Sequence, residues 1–192
     1  AISKGMKNLD KIAKKGTGNA PEFSETFDNW DDMKDSHKGT VTNFVKDNKP
    51  KGSPVPKNWF EKGGSLTIDT MPDGSQIWKY SMDGANVSYV PTLINGEYTK
   101  IVQFPDEYIY KGNAVEGLGS FTIPEGFTGN RNTDMKNALE YLSDTFDMDK
   151  IPNGFVLHHD INSGAFQLVR EDIHNLFSHY GGHYYNNLKI GD

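Results

Sequence analysis

Three dipeptides constrain the fold of this chain more than any other feature: Asp73-Gly74, Asp83-Gly84 and Asn95-Gly96, each set between runs of β-branched and aromatic residues. Such pairs accept positive φ at low cost, which a two-residue hairpin turn demands of its central positions. The runs they separate are SLTIDT (65–70), QIWKYSM (76–82), VSYVPTLI (87–94) and YTKIVQF (98–104). Strands joined so tightly have no room for a crossover connection and must pair antiparallel with their sequence neighbours. Residues 59–127 are therefore expected to form a meander.

Elsewhere the period changes. In NTDMKNALEYLSDTF (132–146), Met135, Ala138, Leu139, Leu142 and Phe146 recur at helical spacing, with Asn132 or Thr133 as the N-cap. Further on, FVLHH and AFQLV are strand-like runs joined by DINSG, and REDIHNLFSH reads as a helix closed by Gly181-Gly182. Its first turn carries Glu171 and Asp172, where the helix dipole favours negative charge. Residues 23–58 are polar, and KDNKPKGSPVPKN reads as an exposed loop. Residues 1–22 read as a linker, with Ile2, Met6, Leu9 and Ile12 spaced for a short amphipathic helix.

The expected class is α+β: an antiparallel β meander with a few helices, then a C-terminal β-hairpin plus helix. Three segments follow: 1–22 as a linker from a parent protein, 23–131 as a mostly antiparallel part, and 132–192 as a C-terminal part able to pack with it as one domain.

The chain has no cysteine, which removes disulfides, thiolate catalysis and cysteine-held zinc together. Any metal must be bound by His, Asp, Glu or Asn. A formal net charge of −6 gives no global basic field, which counts weakly against a nucleic-acid partner because a catalytic site can bring its own cation. No apolar run reaches the roughly 18 residues of a membrane span, and AISKGMKNLDKIAKKGTGNA lacks the apolar core of a signal peptide. The first residue is Ala and not Met, as expected of a piece cut from a longer polypeptide.

The stretch GFVLHHDINSGAFQLVREDIHNLFSHYGGHYY holds five of the 6 histidines. On an extended strand the adjacent pair His158-His159 points to opposite sides, so the two serve different purposes. His174 and His179 are five residues apart, about 140° out of alignment on an unbroken helix. Either the helix ends before His179 or one of the two is not a ligand, with His183 or a carboxylate in reserve. His37, alone in a polar segment, reads as a surface or hydrogen-bonded core residue.

With those residues in view, the stretch resembles the ββα-metal nucleases, the HNH or His-Me finger superfamily. LHHDINSGAFQLVREDIHNLFSHYGG is similar to nuclease domains at the C-termini of bacterial polymorphic toxins, in the branches carrying Trp-His-His or Leu-His-His; here Leu157 stands in the first position. The resemblance covers about 30 residues of 192. It implies a DNA endonuclease in which His159 is the general base, Gln167 orients it, and His158, His174 and His179 bind one divalent metal.

Imidazole ligands suit Zn²⁺, Ni²⁺ or Co²⁺, whereas Mg²⁺ or Mn²⁺ would draw on oxygen donors such as Asp160 or Asp172. Those two carboxylates read first as a turn residue and a helix N-terminal charge. The resemblance further implies a DNA substrate, a cognate immunity protein, and delivery from a larger secreted polypeptide into the cytoplasm of a target bacterium. Arg170, Lys57 and Lys62 are candidate substrate contacts. Lys57 and Lys62 belong to a cluster with Lys46, Lys49, Lys51, Trp59 and Phe60 that otherwise reads as a solvated loop. An RNase that needs no metal and a non-catalytic zinc-binding domain are the rival readings.

Overall fold

The turn dipeptides fold the chain back on itself. In the computed structural model, which describes residues 20–180, strands β1 (Phe23–Phe27), β2 (Ser65–Thr70), β3 (Gln76–Met82), β4 (Ala85–Ile94) and β5 (Glu97–Gln103) lie side by side in that order. Asp83-Gly84 and Asn95-Gly96 are two-residue turns in which all four residues have positive φ, between 50° and 81°. Asp73-Gly74 differs. It sits inside the longer loop 71–75, where Gly74 N–H donates to Met71 O at 2.8 Å and the Asp73 carboxylate accepts from the Ser75 amide and hydroxyl. The linker helix expected within residues 1–22 falls on 1–19, outside the described residues.

The polar stretch 23–58 holds more regular structure than its composition suggests, and of KDNKPKGSPVPKN only residues 49–55 lie outside the helices. The stretch supplies β1, α1 (Trp30–Ser36), α2 (Val41–Asn48) and the start of α3 (Pro56–Glu61). Asn29 caps α1 by accepting from Asp32 N–H at 2.8 Å, and Pro56 opens α3 where its missing N–H costs nothing. Each helix buries only one to three side chains, among them Met33, Val41 and Trp59, so the surrounding polarity hid them.

The sheet register explains what these helices cover. Leu66↔Tyr80, Ile68↔Trp78, Trp78↔Tyr89 and Tyr80↔Val87 are direct cross-strand neighbours, and all are buried on one face. Trp59 meets the Tyr80 ring edge-on with centroids 5.5 Å apart, a geometry worth about 0.5–1.5 kcal/mol beyond the area it buries. At 2% exposure Trp59 is a core anchor, as is the buried Phe60; neither is available as a stacking platform. Lys49 is engaged as well, its Nζ donating to Pro50 O, Ser53 O and Ser53 Oγ.

The chain divides into two compact units, the first running to Leu93 with Tyr98–Val102, the second comprising Ile94–Glu97 and the chain from Gln103 onward. Residues 103–131, grouped with the N-terminal part on sequence, thus belong with the C-terminal elements. In the second unit β6 (Ser120–Phe121), β7 (Phe155–Asp160) and β8 (Ala165–Arg170) form an antiparallel sheet in the order β6-β8-β7. On the same edge of β8 as β6, Ile109 bridges Val169 and Tyr110 N–H donates to Leu168 O at 2.8 Å.

Helix α4 (Arg131–Phe146) packs Ala138 and Leu142 with Phe121, Phe166 and Leu168. Its N-cap is Asn130, accepting from Thr133 N–H at 2.9 Å, in place of Asn132 or Thr133. The buried stripe also differs from the expected one: it is Asp134, Ala138 and Leu142, while Met135 is exposed. The last helix, α5 (Glu171–Leu176), follows β8 without a linker and stops three residues short of His179. No helix among the described residues is long and apolar enough to cross a membrane.

Candidate metal centre

Strand alternation separates the paired histidines. In the β7–β8 register His158 stands opposite Gln167 and His159 opposite Phe166, and directly opposed residues share a face. Phe166 belongs to the core packed by α4, so His159 faces that side and His158 the other. The end of α5 resolves the awkward five-residue spacing. Because the helix stops at Leu176 and Phe177 leaves helical geometry (φ −101°, ψ 87°), His179 is freed from the helical phase and brought back beside His174.

Three imidazoles then converge. His158, His174 and His179 each offer a ring nitrogen, all within 4.8 Å of one another. Four nitrogens around an ion at about 2.1 Å would stand about 3.4 Å apart, so the trio needs only a modest contraction to become three corners of a tetrahedral site. The ring centroids are 4.7–5.5 Å apart and the planes cross at 68–88°, so the rings splay around a common point without stacking. His179 Nδ1 lies 2.8 Å from Phe177 O, and a carbonyl can only accept, which leaves Nε2 of that ring as the donor atom.

The electrostatics keep these rings neutral, the form that binds metal. Burial holds His158 well below the usual histidine range, and the neighbouring His179, His174 and His159 push in the same direction. His174 is lowered to about 4, chiefly by burial and then by His179. Burial also lowers His179, partly offset by the Phe177 carbonyl. Phe104 walls the cluster, its ring 5.0, 5.7 and 5.6 Å from those of His158, His174 and His179. An apolar wall of this kind limits water and sharpens the ligands' electrostatics.

The two carboxylates that the sequence offered as oxygen ligands, Asp160 and Asp172, have other partners. Asp160 is a turn residue, accepting from Ser163 Oγ at 2.6 Å and Asn162 N–H at 3.3 Å. Asp172 takes two bonds from Arg170, which also sits 5.8 Å from the Tyr108 ring centre. Arg170 is thus an exposed ion-paired cation. Lys57 and Lys62 are exposed residues of the first unit, and His183 lies outside the described residues. His37 is held in the first unit by a 2.8 Å bond between Nδ1 and Met33 O and packs on Phe44.

His159 has a partner that sequence reasoning missed. Its Nε2 is 3.1 Å from Oδ2 of Asp134, a carboxylate with no solvent exposure at all. Gln167, assigned by resemblance to orient His159, instead stands opposite His158 on the other face of the hairpin. The signal for Asp134 was its place four residues before Ala138, on the buried stripe of α4: a carboxylate in an apolar row needs a reason. Comparison with protein-family models, curated proteins and solved structures finds no match to this chain.

Proposed function

We propose that the chain is a metal-dependent nuclease of the His-Me finger kind that hydrolyses DNA phosphodiester bonds. The observation that carries this reading is the division of labour around one hairpin: three neutral imidazoles gathered on one face, and on the other a fourth imidazole hydrogen-bonded to a buried carboxylate. His158, His174 and His179 would hold the ion, and their nitrogen set favours Zn²⁺, Ni²⁺ or Co²⁺ over Mg²⁺ or Mn²⁺. A divalent ion bound there would supply charge neutralisation at the scissile phosphate and the departing 3′ oxygen.

His159 takes the proton of the attacking water, with the Asp134 carboxylate favouring the imidazolium that results. The resemblance of residues 157–182 to toxin nucleases supports a role for this activity in bacterial competition. Release from a larger secreted polypeptide, entry into a target cytoplasm and a neutralising immunity protein belong to the same proposal.

One observation favours a rival. His158 is only 3% exposed and Phe104 lies over the trio, as in a zinc site that serves folding alone. Incubation with supercoiled plasmid and with total RNA, with and without EDTA, separates the readings. The nuclease reading expects plasmid nicking that EDTA abolishes. RNA cleavage that survives EDTA points to an RNase that uses the substrate 2′-hydroxyl, and no cleavage of either substrate leaves the non-catalytic zinc domain.

A further inference from the structure

We propose that Asp134, steered by Thr128, is a positioning residue that fixes His159 in the tautomer carrying its proton on Nε2, so that Nδ1 is the basic nitrogen. The catalytic part of this inference rests on the nuclease reading; the tautomer part does not.

Asp134 sits in the N-terminal region of α4, fully buried, and its two oxygens have different employers. Oδ1 accepts from the Thr128 backbone N–H at 2.9 Å and from the Thr128 hydroxyl at 2.5 Å. Oδ2 faces His159 Nε2 at 3.1 Å. A backbone amide can only donate, so Oδ1 is committed as an acceptor and Oδ2 is the oxygen left for the ring. In the proposed arrangement the carboxylate accepts at both oxygens, and the hydrogen of the Asp134–His159 bond resides on Nε2. Three donors also explain how a carboxylate is tolerated in this core.

The ring has little freedom to escape the arrangement. Phe127 and Phe166 each pack against His159 with centroids 4.9 Å away. A ring clamped by two aromatics and held at Nε2 by Asp134 keeps a single orientation, as acid–base transfer requires. A merely structural ion pair would need no fixed tautomer.

Asp134→Asn distinguishes the two. The Thr128 amide forces the single amide oxygen of the variant to stay on Thr128, which turns the NH₂ group toward His159 Nε2. That nitrogen must then accept, and the ring proton moves to Nδ1. Shape and hydrogen-bond count are preserved while the basic nitrogen is inverted.

The test uses the zinc-loaded full chain with ¹⁵N-labelled histidine, the His159 signals being identified by their loss in His159→Gln, together with plasmid cleavage kinetics. The expected result is an Nε2–H tautomer in the wild type and Nδ1–H in Asp134→Asn. The kcat of that variant should fall by about 10⁴-fold, the size of a wrong-tautomer defect, with KM and zinc content little changed. Thr128→Val, which keeps the amide and loses the hydroxyl, should retain Nε2–H. A wild type found as Nδ1–H, or an Asp134→Asn that keeps its kcat with the tautomer inverted, overturns the proposal, and the first of these stands even if that variant fails to fold. A wild type that cleaves neither DNA nor RNA sinks the nuclease reading instead, and the spectrum still decides the Asp134–His159 assignment.

Discussion

Imidazoles packed away from water and beside one another resist protonation, and in the metal-free protein that resistance is a liability in acid. His158, His174 and His179 all have folded-state pKa values below the unfolded value of about 6.5. The unfolded chain therefore binds more protons as pH drops, so stability is full above about pH 6.5 and is lost as pH falls through the folded values, about 4 for His174. Thermal melting of EDTA-treated protein should show a clear drop between about pH 7 and about pH 5, and an unchanged midpoint would contradict the burial argument. A second residue-scale expectation concerns the ligands. His158→Ala or His174→Ala should weaken Co²⁺ binding by more than the roughly 10–100-fold typical of residues one step removed from a metal, read by titration of the visible absorption. At this scale the sequence was informative where chemistry is carried by a rare residue: alternation along His158-His159 put the two rings on opposite faces. Its one sign of Asp134, the four-residue step to Ala138, was outweighed because aspartate near a helix start ordinarily serves the dipole in solvent, and only the fold reveals that this one is buried.

At the level of elements, the hairpin is held in place by a close approach that leaves no space for a side chain. A Cβ on Gly119 would stand 2.0 Å from Tyr110 O, where the chain passes beside β8. Gly119→Ala should therefore force β6 and the Ile109–Tyr110 segment apart and cost about 1–3 kcal/mol or more, measured by denaturant unfolding. Leu142→Ala, which hollows the α4 contact with Phe166 and Leu168, should cost about 2–5 kcal/mol. The strands were legible because β-branched runs and Asn-Gly or Asp-Gly turns carry their own geometry. The three short helices before the meander were not, since each buries at most three side chains and no period builds up. The early end of α5 was half legible: the His174–His179 spacing left open a break or a non-ligand, and the structure ends the helix at Leu176, five residues before the Gly181-Gly182 that sequence offered as its close.

For the whole molecule, a net charge of −6 gives no global basic field, and the chain divides into two compact units. The sequence reading divides the chain at residue 132 and lets the two parts pack together, whereas the second unit takes in the chain from Gln103 onward, with Ile109 bridging Val169 of β8. Metal should act as a global stabiliser through the trio. Zinc at about 100 times its dissociation constant should add about 2.7 kcal/mol to unfolding, visible in calorimetry and absent in His158→Ala. The central claim is that metal binding and proton transfer are assigned to different histidines of one hairpin, and His159→Ala tests it most directly. Its metal content and its cleavage of supercoiled plasmid should be measured on the same preparation. Full metal occupancy with cleavage abolished is the expected result; retained cleavage, or metal lost together with activity, would contradict the assignment.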